Sequence, residues 1–149
     1  MKDRFNPDEF ESRSLPFEVN RLSPTIGGEL LGVDLRQDLT SEVKDLIYEA
    51  LLVYKVIFFR DQDLTTDQHI HFSKNFGDLE VHPFAPFNDG YPEVLKITHN
   101  EKSRGRENLW HSDVTWRKEP SLGSVLRMLE KPENGGDTLF SDMYAAYDD

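Results

Sequence analysis

His111 and Asp113 are the residues whose types and spacing point most directly to chemistry. They lie two positions apart in the run from Asn108 to Trp116. Side chains two apart on an extended backbone share a face, because strand side chains alternate. An imidazole and a carboxylate on one face supply two arms of a facial triad, which with one distant His holds non-haem Fe(II). The spacing therefore predicts a metal-binding pair; the alternative for so short a motif is a surface His beside a turn-forming Asp.

The neighbours of this pair favour metal binding. Trp110, Val114 and Trp116 make the run apolar and typical of a strand. A charged pair embedded in such a run needs a compensating interaction or a function. We therefore expect a strand over residues 110–116, with the ligating atoms of His111 and Asp113 within a few ångströms of each other.

Four stretches of the chain resemble one enzyme family. The run Trp110–Thr115 resembles the metal motif of the taurine dioxygenase (TauD/TfdA) family, whose members depend on Fe(II) and 2-oxoglutarate. Pro132–Phe140 is similar to the family's Gly-Gly-Asp-Thr segment, and Phe76–Leu79 and His82 with the Pro after it resemble upstream landmarks. The matches follow the family's order from about Phe17 to the last residue, which is far more specific than any single motif.

The resemblance implies roles for four residues. His111 and Asp113 would hold Fe(II), and the hydroxyl of Thr138 would help to bind the carboxylate of 2-oxoglutarate. His82 would contact the anionic sulfonate or sulfate of a small organic substrate, which is oxidised with O2. Without the resemblance, Thr138 is a β-branched residue filling a strand and His82 an ordinary loop histidine.

Two positions depart from the taurine-specific pattern. Ala85 stands where taurine enzymes have a Tyr, and Glu107 stands where they have an Asn. Losing the Tyr hydroxyl removes a donor for an anionic head group and leaves more room. Glu107 would repel a sulfonate if it faced the pocket. The expected substrate is therefore not taurine but a bulkier alkyl sulfate, another sulfonate or a carboxylate.

No histidine follows His111 in this sequence. The family takes its third metal ligand, a His, from far downstream, followed by an Arg that binds 2-oxoglutarate. We therefore expect a C-terminally truncated chain whose fold lacks its closing strands. His82 or His99 is a weaker candidate for the third ligand. His69, on an apolar helix stripe, is expected to be a core residue, and His71 a solvated one.

Composition restricts the classes of protein that remain. The chain has 149 residues, 37% hydrophobic and 30% charged, which suits a soluble domain with a sizeable core. A net charge of −11 and a pI near 4.8 argue against nucleic acid or an anionic membrane as a partner. With no cysteine, any metal must be held by His and carboxylate, and a reducing, cytoplasmic setting is favoured. No apolar run approaches the roughly 18 residues of a membrane span.

The hydrophobic pattern places the helices in the first half of the chain, together with strands within residues 15–36 and 55–60, and makes strands dominant in the second half. Thr40 is the expected cap of one helix, and Thr65 with Gln68 forms a capping box that opens another. The predicted late strands cover residues 94–98, 110–116, 121–130 and 138–140. We expect residues 1–14 to be a mobile leader and residues 15–149 to be one α+β domain. The resemblance implies a double-stranded β-helix (a jelly-roll, cupin-like fold) with flanking helices.

Three hypotheses for function follow. The first is the amino-terminal part of an Fe(II)/2-oxoglutarate-dependent dioxygenase, homo-oligomeric as a full-length protein. The second is a non-catalytic β-rich domain of the same fold that binds only a ligand or a partner. The third, a zinc hydrolase, is weakened because the sequence has no H-E-x-x-H helix.

Overall fold

The computed structural model of the chain describes residues 5–81, 87–88, 90–98 and 109–148. These residues form two compact units, one within Met1–Gln68 and Met128–Asp149, the other within His69–Arg127. No helix of the described ranges is long and apolar enough to cross a membrane. The helices and strands, in chain order, are α1 (Pro7–Glu11), β1 (Glu18–Arg21), β2 (Gly28–Leu31), α2 (Ser41–Tyr54), β3 (Ile57–Phe58), α3 (Thr66–Ser73), β4 (Phe87–Asn88), β5 (Tyr91–Leu95) and α4 (Met143–Asp148).

A three-stranded sheet and α2 form the core of the first unit. β1 runs antiparallel to β2, and β2 runs parallel to β3, with α2 as the crossover between the parallel pair. The helix buries its apolar stripe, as its periodicity predicts. The buried apolar residues of this unit are Phe10, Phe17, Leu30, Val33, Leu35, Leu46, Ile47, Ala50, Val53, Tyr54 and Leu64.

The predicted start of α2 is confirmed. The Thr40 hydroxyl accepts a hydrogen bond from the Val43 N–H at 3.3 Å, and Glu42 lies in the first turn. Acids there are favoured by the partial positive charge of the helix amino terminus. The helix ends at Lys55, whose left-handed backbone (φ 66°) lets its N–H donate to the Leu51 carbonyl at 2.7 Å.

Gly28 allows β2 to lie directly against α2. A Cβ at this position would lie 2.6 Å from Cγ and 2.8 Å from Cδ2 of Tyr54. No side chain fits at that distance, so the absence of a side chain sets how closely the strand approaches the helix.

The amino-terminal segment differs from the expected mobile leader. From Phe5 onward it contains α1, capped by Asn6, whose side chain accepts from the Asp8 N–H at 2.9 Å. Phe10 is only 2% exposed and meets the Tyr54 ring edge to face, with 6.1 Å between centroids. A helix of one turn carries a single apolar residue, so it has no periodicity that a sequence pattern could detect.

Glu11 joins α1 to the sheet and to α2. Its Oε1 accepts from Arg21 Nε at 2.6 Å and from the Tyr54 hydroxyl at 2.5 Å. The hydrogen bond from Arg21 holds the pKa of Glu11 below its ordinary value, against the opposing effect of burial. Burial, and then donation to Glu11, raise the pKa of Tyr54.

The capping box before α3 is also confirmed. The Thr65 N–H donates to Gln68 Oε1 at 2.8 Å, and the Gln68 N–H donates to the Thr65 hydroxyl at 3.2 Å. A 3₁₀ turn over Lys74–Phe76 extends α3, and the chain leaves it at Gly77, where φ is 138°.

The strands predicted over residues 110–116, 121–130 and 138–140 are wrong. Within residues 109–148 the structure has no strand, and its only regular element is α4. The strand expected from Val94 begins earlier, as β5, and pairs with β4. The α+β class is confirmed, whereas a double-stranded β-helix is not formed by the described residues. Hydrophobic alternation shows which face of a strand would be buried, but a strand also needs a neighbour for its N–H and C=O groups.

Candidate metal centre

The side chains of His111 and Asp113 converge. His111 Nε2 lies 3.4 Å from Asp113 Oδ1, and the two side chains are 58% and 64% exposed. Two ligands about 2.1 Å from a divalent ion and at right angles would lie about 3.0 Å apart. The pair therefore needs to close by only a few tenths of an ångström to fit two neighbouring positions around a metal ion.

A turn, and not a strand, follows the pair. Val114 adopts a left-handed backbone (φ 56°), and its carbonyl accepts from the Arg117 N–H at 3.1 Å. A left-handed conformation costs an L-residue about 1–2 kcal/mol, and is least common for β-branched side chains. The chain thus reverses immediately after the second ligand, which no alternating pattern predicts.

The ring of His111 is oriented by its own backbone. Nδ1 lies 2.8 Å from the Leu109 carbonyl oxygen. A carbonyl oxygen can only accept, so Nδ1 carries the hydrogen, and in a neutral imidazole Nε2 then keeps its lone pair. Metal-bound histidines are held in this way through their second nitrogen. The orientation therefore presents the ligating nitrogen on the side of Asp113.

Ser124 holds the other oxygen of Asp113, and sequence reasoning missed it. The Ser124 hydroxyl donates to Asp113 Oδ2 at 3.3 Å. The two residues lie 11 positions apart in the chain. A lone serine at that separation belongs to no motif, so only the structure reveals the contact.

Three further contacts fix the segment that carries Ser124. Ser121 donates through its hydroxyl to Glu80 Oε2 at 2.6 Å, and Arg117 forms an ion pair with the same carboxylate at 2.5 Å. On the other side, His69 Nε2 lies 2.9 Å from the Val125 carbonyl, to which it donates. His69 is half-buried and bonded within the protein, as expected of a structural histidine.

The described residues supply two ligand positions and not a third. No group of three or more His, Cys, Asp or Glu that could hold a metal ion occurs among them. His82 and His99, the weaker candidates for a third ligand, lie outside the described residues, as do Ala85 and Glu107. The nitrogen and oxygen donors present match two ligands of a facial triad in type and spacing.

Thr138 belongs to the first unit and is exposed. It follows Gly135 and Gly136, which have φ values of 74° and 76°, in the backbone region that glycine permits without strain. Two residues further on, the ring of Phe140 meets that of Phe58 edge to face at 6.1 Å. Binding of 2-oxoglutarate by Thr138 stays a prediction.

Residues 18–149 match a family model described as the taurine catabolism dioxygenase TauD, TfdA family. An alkylsulfatase of Acinetobacter baylyi is 35% identical, covering 89% of this chain and 41% of that protein. An alpha-ketoglutarate-dependent sulfate ester dioxygenase of Pseudomonas putida is 36% identical, covering 90% of this chain and 44% of that protein. The chain thus spans about two fifths of the length of these relatives.

A solved structure shares part of this fold. The crystal structure of a taurine dioxygenase from Burkholderia xenovorans has a TM-score of 0.53 and 44% identity to this chain. The alignment covers 56% of this chain and 30% of the other.

Proposed function

Because the chain belongs to the taurine catabolism dioxygenase TauD/TfdA family, we propose that it provides two of the metal ligands of an Fe(II)- and 2-oxoglutarate-dependent dioxygenase. The observation that carries this proposal is the convergence of His111 Nε2 and Asp113 Oδ1 at 3.4 Å. The pair lies inside the matched region, and the chemistry of its donors suits Fe(II).

The residues of this chain would act by binding and orientation. Bound Fe(II) supplies the chemistry, in which oxidative decarboxylation of 2-oxoglutarate to succinate and carbon dioxide is coupled to oxidation of a substrate carbon by O2. His111 and Asp113 would hold the metal, with the Leu109 carbonyl orienting the imidazole and the Ser124 hydroxyl orienting the carboxylate. The third ligand would come from outside the described residues.

Thr138 and His82 are the residues that we propose for binding of the cosubstrate and of the substrate. The Thr138 hydroxyl would donate to the carboxylate of 2-oxoglutarate, and His82 to the anionic group of the substrate. The proposal includes a double-stranded β-helix for the full-length protein, a homo-oligomeric state and a cytoplasmic setting. The likeness to the Burkholderia taurine dioxygenase supports the fold, with a TM-score of 0.53.

We propose a sulfate ester as the substrate class, with sulfonates as the alternative. The two relatives named above are called an alkylsulfatase and a sulfate ester dioxygenase. Ala85 supports this choice by resemblance, because it stands where taurine enzymes have a larger Tyr.

The test is succinate formation by the full-length protein with Fe(II), ascorbate and 2-oxoglutarate, using a panel of alkyl sulfates and sulfonates. His111→Ala and Asp113→Ala should each abolish turnover and weaken Fe(II) binding, because two donors hold a metal poorly. His71→Ala, which removes an exposed histidine of α3, is the matched control. It should retain both turnover and Fe(II) binding. Unchanged turnover in either ligand variant would refute the proposal.

A non-catalytic binding domain of the same family is the rival. The high exposure of the pair, 58% for His111 and 64% for Asp113, favours this alternative. Reading the coding DNA beyond the codon for Asp149 separates the two. A downstream histidine followed by an arginine supports the enzyme, whereas a stop codon supports the rival.

A further inference from the structure

We propose that the hydroxyl of Ser124 positions Asp113 so that its carboxylate binds the metal through one oxygen only. This inference rests on the proposed function. It assigns a positioning role to a residue outside the His111–Asp113 motif and outside the segment of Thr138.

The two oxygens of Asp113 have different neighbours. Oδ1 lies 3.4 Å from His111 Nε2, on the side where the second ligand is presented. Oδ2 accepts the hydrogen bond of Ser124 at 3.3 Å. A carboxylate with one oxygen engaged by a hydroxyl donor is biased towards offering the other to a cation, because the bonded lone pair is less available.

The position of Ser124 is fixed on both sides by contacts that do not involve the ligands. Three residues earlier, Ser121 is bonded to Glu80 at 2.6 Å, and one residue later the Val125 carbonyl is bonded to His69 at 2.9 Å. Both anchors belong to the same compact unit as the pair. The hydroxyl is thus brought to Asp113 by the path of the backbone, which limits how far the carboxylate can turn.

Binding of the metal through one oxygen of Asp113 matters because the metal has a limited number of coordination positions. A facial triad leaves three positions of an octahedral ion open. By the proposed function, 2-oxoglutarate and O2 would need the positions that the protein leaves open. If both oxygens of Asp113 bound, they would occupy a position that one of the cosubstrates needs. Ser124 would therefore keep that position available.

The experiment measures metal binding directly in the full-length protein. Mn(II) affinity is followed by electron paramagnetic resonance, and coordination number by the visible absorption spectrum of the Co(II) form. Ser124→Ala should weaken Mn(II) binding about 10-fold, as is common when an orienting partner of a ligand is lost. Its Co(II) spectrum should shift because the second carboxylate oxygen becomes available. Ser124→Thr, which keeps the hydroxyl, should restore both.

Controls separate this inference from the proposed function. Ser41→Ala, at an exposed serine in the first turn of α2, should bind Mn(II) like the wild type. Wild-type affinity and an unchanged spectrum in Ser124→Ala, with binding lost in His111→Ala, would overturn the positioning role alone. Failure of the wild type to bind Mn(II) would overturn both proposals. If the alanine variant does not fold, Ser124→Cys, similar in size but a weaker donor, gives the same comparison.

Discussion

The two candidate ligands are oriented by neighbours at different distances along the chain. His111 is held by a carbonyl two residues away, whereas Asp113 depends on a hydroxyl 11 residues away. The first contact needs only local backbone, but the second needs the segment around Ser124 to be in place. We therefore expect the direction of the Asp113 carboxylate to depend more strongly on the surrounding fold than that of the imidazole.

In the first unit, the orientation of the Glu11 carboxylate likewise depends on residues far away along the chain. One carboxylate receives hydrogen bonds from Arg21 and Tyr54, and so connects α1 with β1 and α2. Hydrogen bonds to a charged group contribute about 1.5–3 kcal/mol, roughly twice the contribution of neutral ones. Docking of the one-turn helix therefore rests on this contact and on the buried ring of Phe10.

Glu11→Gln should lower the free energy of unfolding of the full-length protein by about 1–2 kcal/mol at neutral pH, because the amide is a weaker acceptor. The folded pKa of Glu11 lies below its ordinary value of 4.5, so the stabilisation is complete above that value. It is lost as the pH falls through the lower, folded pKa. Denaturant unfolding across this range should show the two proteins converging in acid.

The matched control for this measurement is Glu9→Gln, in the same helix and on an exposed residue. It should leave the stability within about 0.5 kcal/mol of the wild type at every pH, as is usual for surface positions. If the free energies of unfolding of the wild type and Glu11→Gln differed by a constant amount down to the lowest pH, the charge of Glu11 would not be what holds α1 in place.

Among the elements, α4 depends most on a single residue. None of its residues is buried, so packing contributes little. Asp142 precedes it, and its carboxylate accepts from the N–H groups of Tyr144 at 3.0 Å and Ala145 at 3.3 Å. The Asp142 side chain is 7% exposed and pairs with Lys55 at 3.0 Å. One buried carboxylate thus caps the helix and ties it to the end of α2.

Replacements of Asp142 can separate the contribution of the helix cap to stability from that of the ion pair with Lys55. Burial raises the pKa of this carboxyl, but the bonds from Lys55 and the helix N–H groups outweigh it and lower the pKa. Asp142→Asn keeps a good cap but loses the ion pair, and should destabilise the protein by about 1 kcal/mol. Asp142→Ala loses both and should cost about 2–3 kcal/mol.

Thermal unfolding and the rate of proteolysis near Tyr147 would measure the two effects of replacing Asp142. Asp45→Asn, on the exposed face of α2, is the charge-matched control and should change neither quantity. Equal losses in the Asn and Ala variants would mean that the ion pair, and not the cap, accounts for the whole effect.

The capping contacts that the sequence predicted correctly have local causes. The Thr40 cap and the Thr65–Gln68 box are each made by groups three residues apart, so their residue types suffice. The proximity of His111 and Asp113 is local in the same sense. A strand depends on a partner elsewhere in the chain, which explains why the apolar run after Trp110 was wrongly predicted as one. The contact of Ser124 with Asp113 has the same non-local character and was missed.

At the scale of the whole molecule, the described residues differ sharply in burial along the chain. The three-stranded sheet and α2 enclose a core, whereas the segment from residue 109 to 148 leaves most of its large apolar side chains exposed. Such exposed apolar side chains are a source of self-association. The large apolar residues exposed in this segment are Leu109, Trp110, Trp116, Leu122, Val125, Leu126, Met128, Leu129, Leu139, Phe140, Met143, Tyr144 and Tyr147.

We therefore expect the 149-residue polypeptide, produced alone, to self-associate and to show no 2-oxoglutarate-dependent succinate formation. Self-association follows from the exposed side chains, among them Trp110 at 70% and Tyr147 at 82%. The absence of turnover follows because His111 and Asp113 have no third donor among the described residues, and an incomplete ligand set binds Fe(II) weakly.

Size-exclusion chromatography with light scattering measures the first property of the isolated polypeptide. A succinate assay with Fe(II), ascorbate, 2-oxoglutarate and a panel of alkyl sulfates measures the second. Trp110→Gln together with Tyr147→Gln should reduce self-association without restoring turnover, because neither change adds a ligand. Turnover by a monodisperse monomer would contradict both expectations. The third donor would then lie within this chain, and His82→Ala and His99→Ala, at histidines outside the described residues, would identify it by loss of Fe(II) binding.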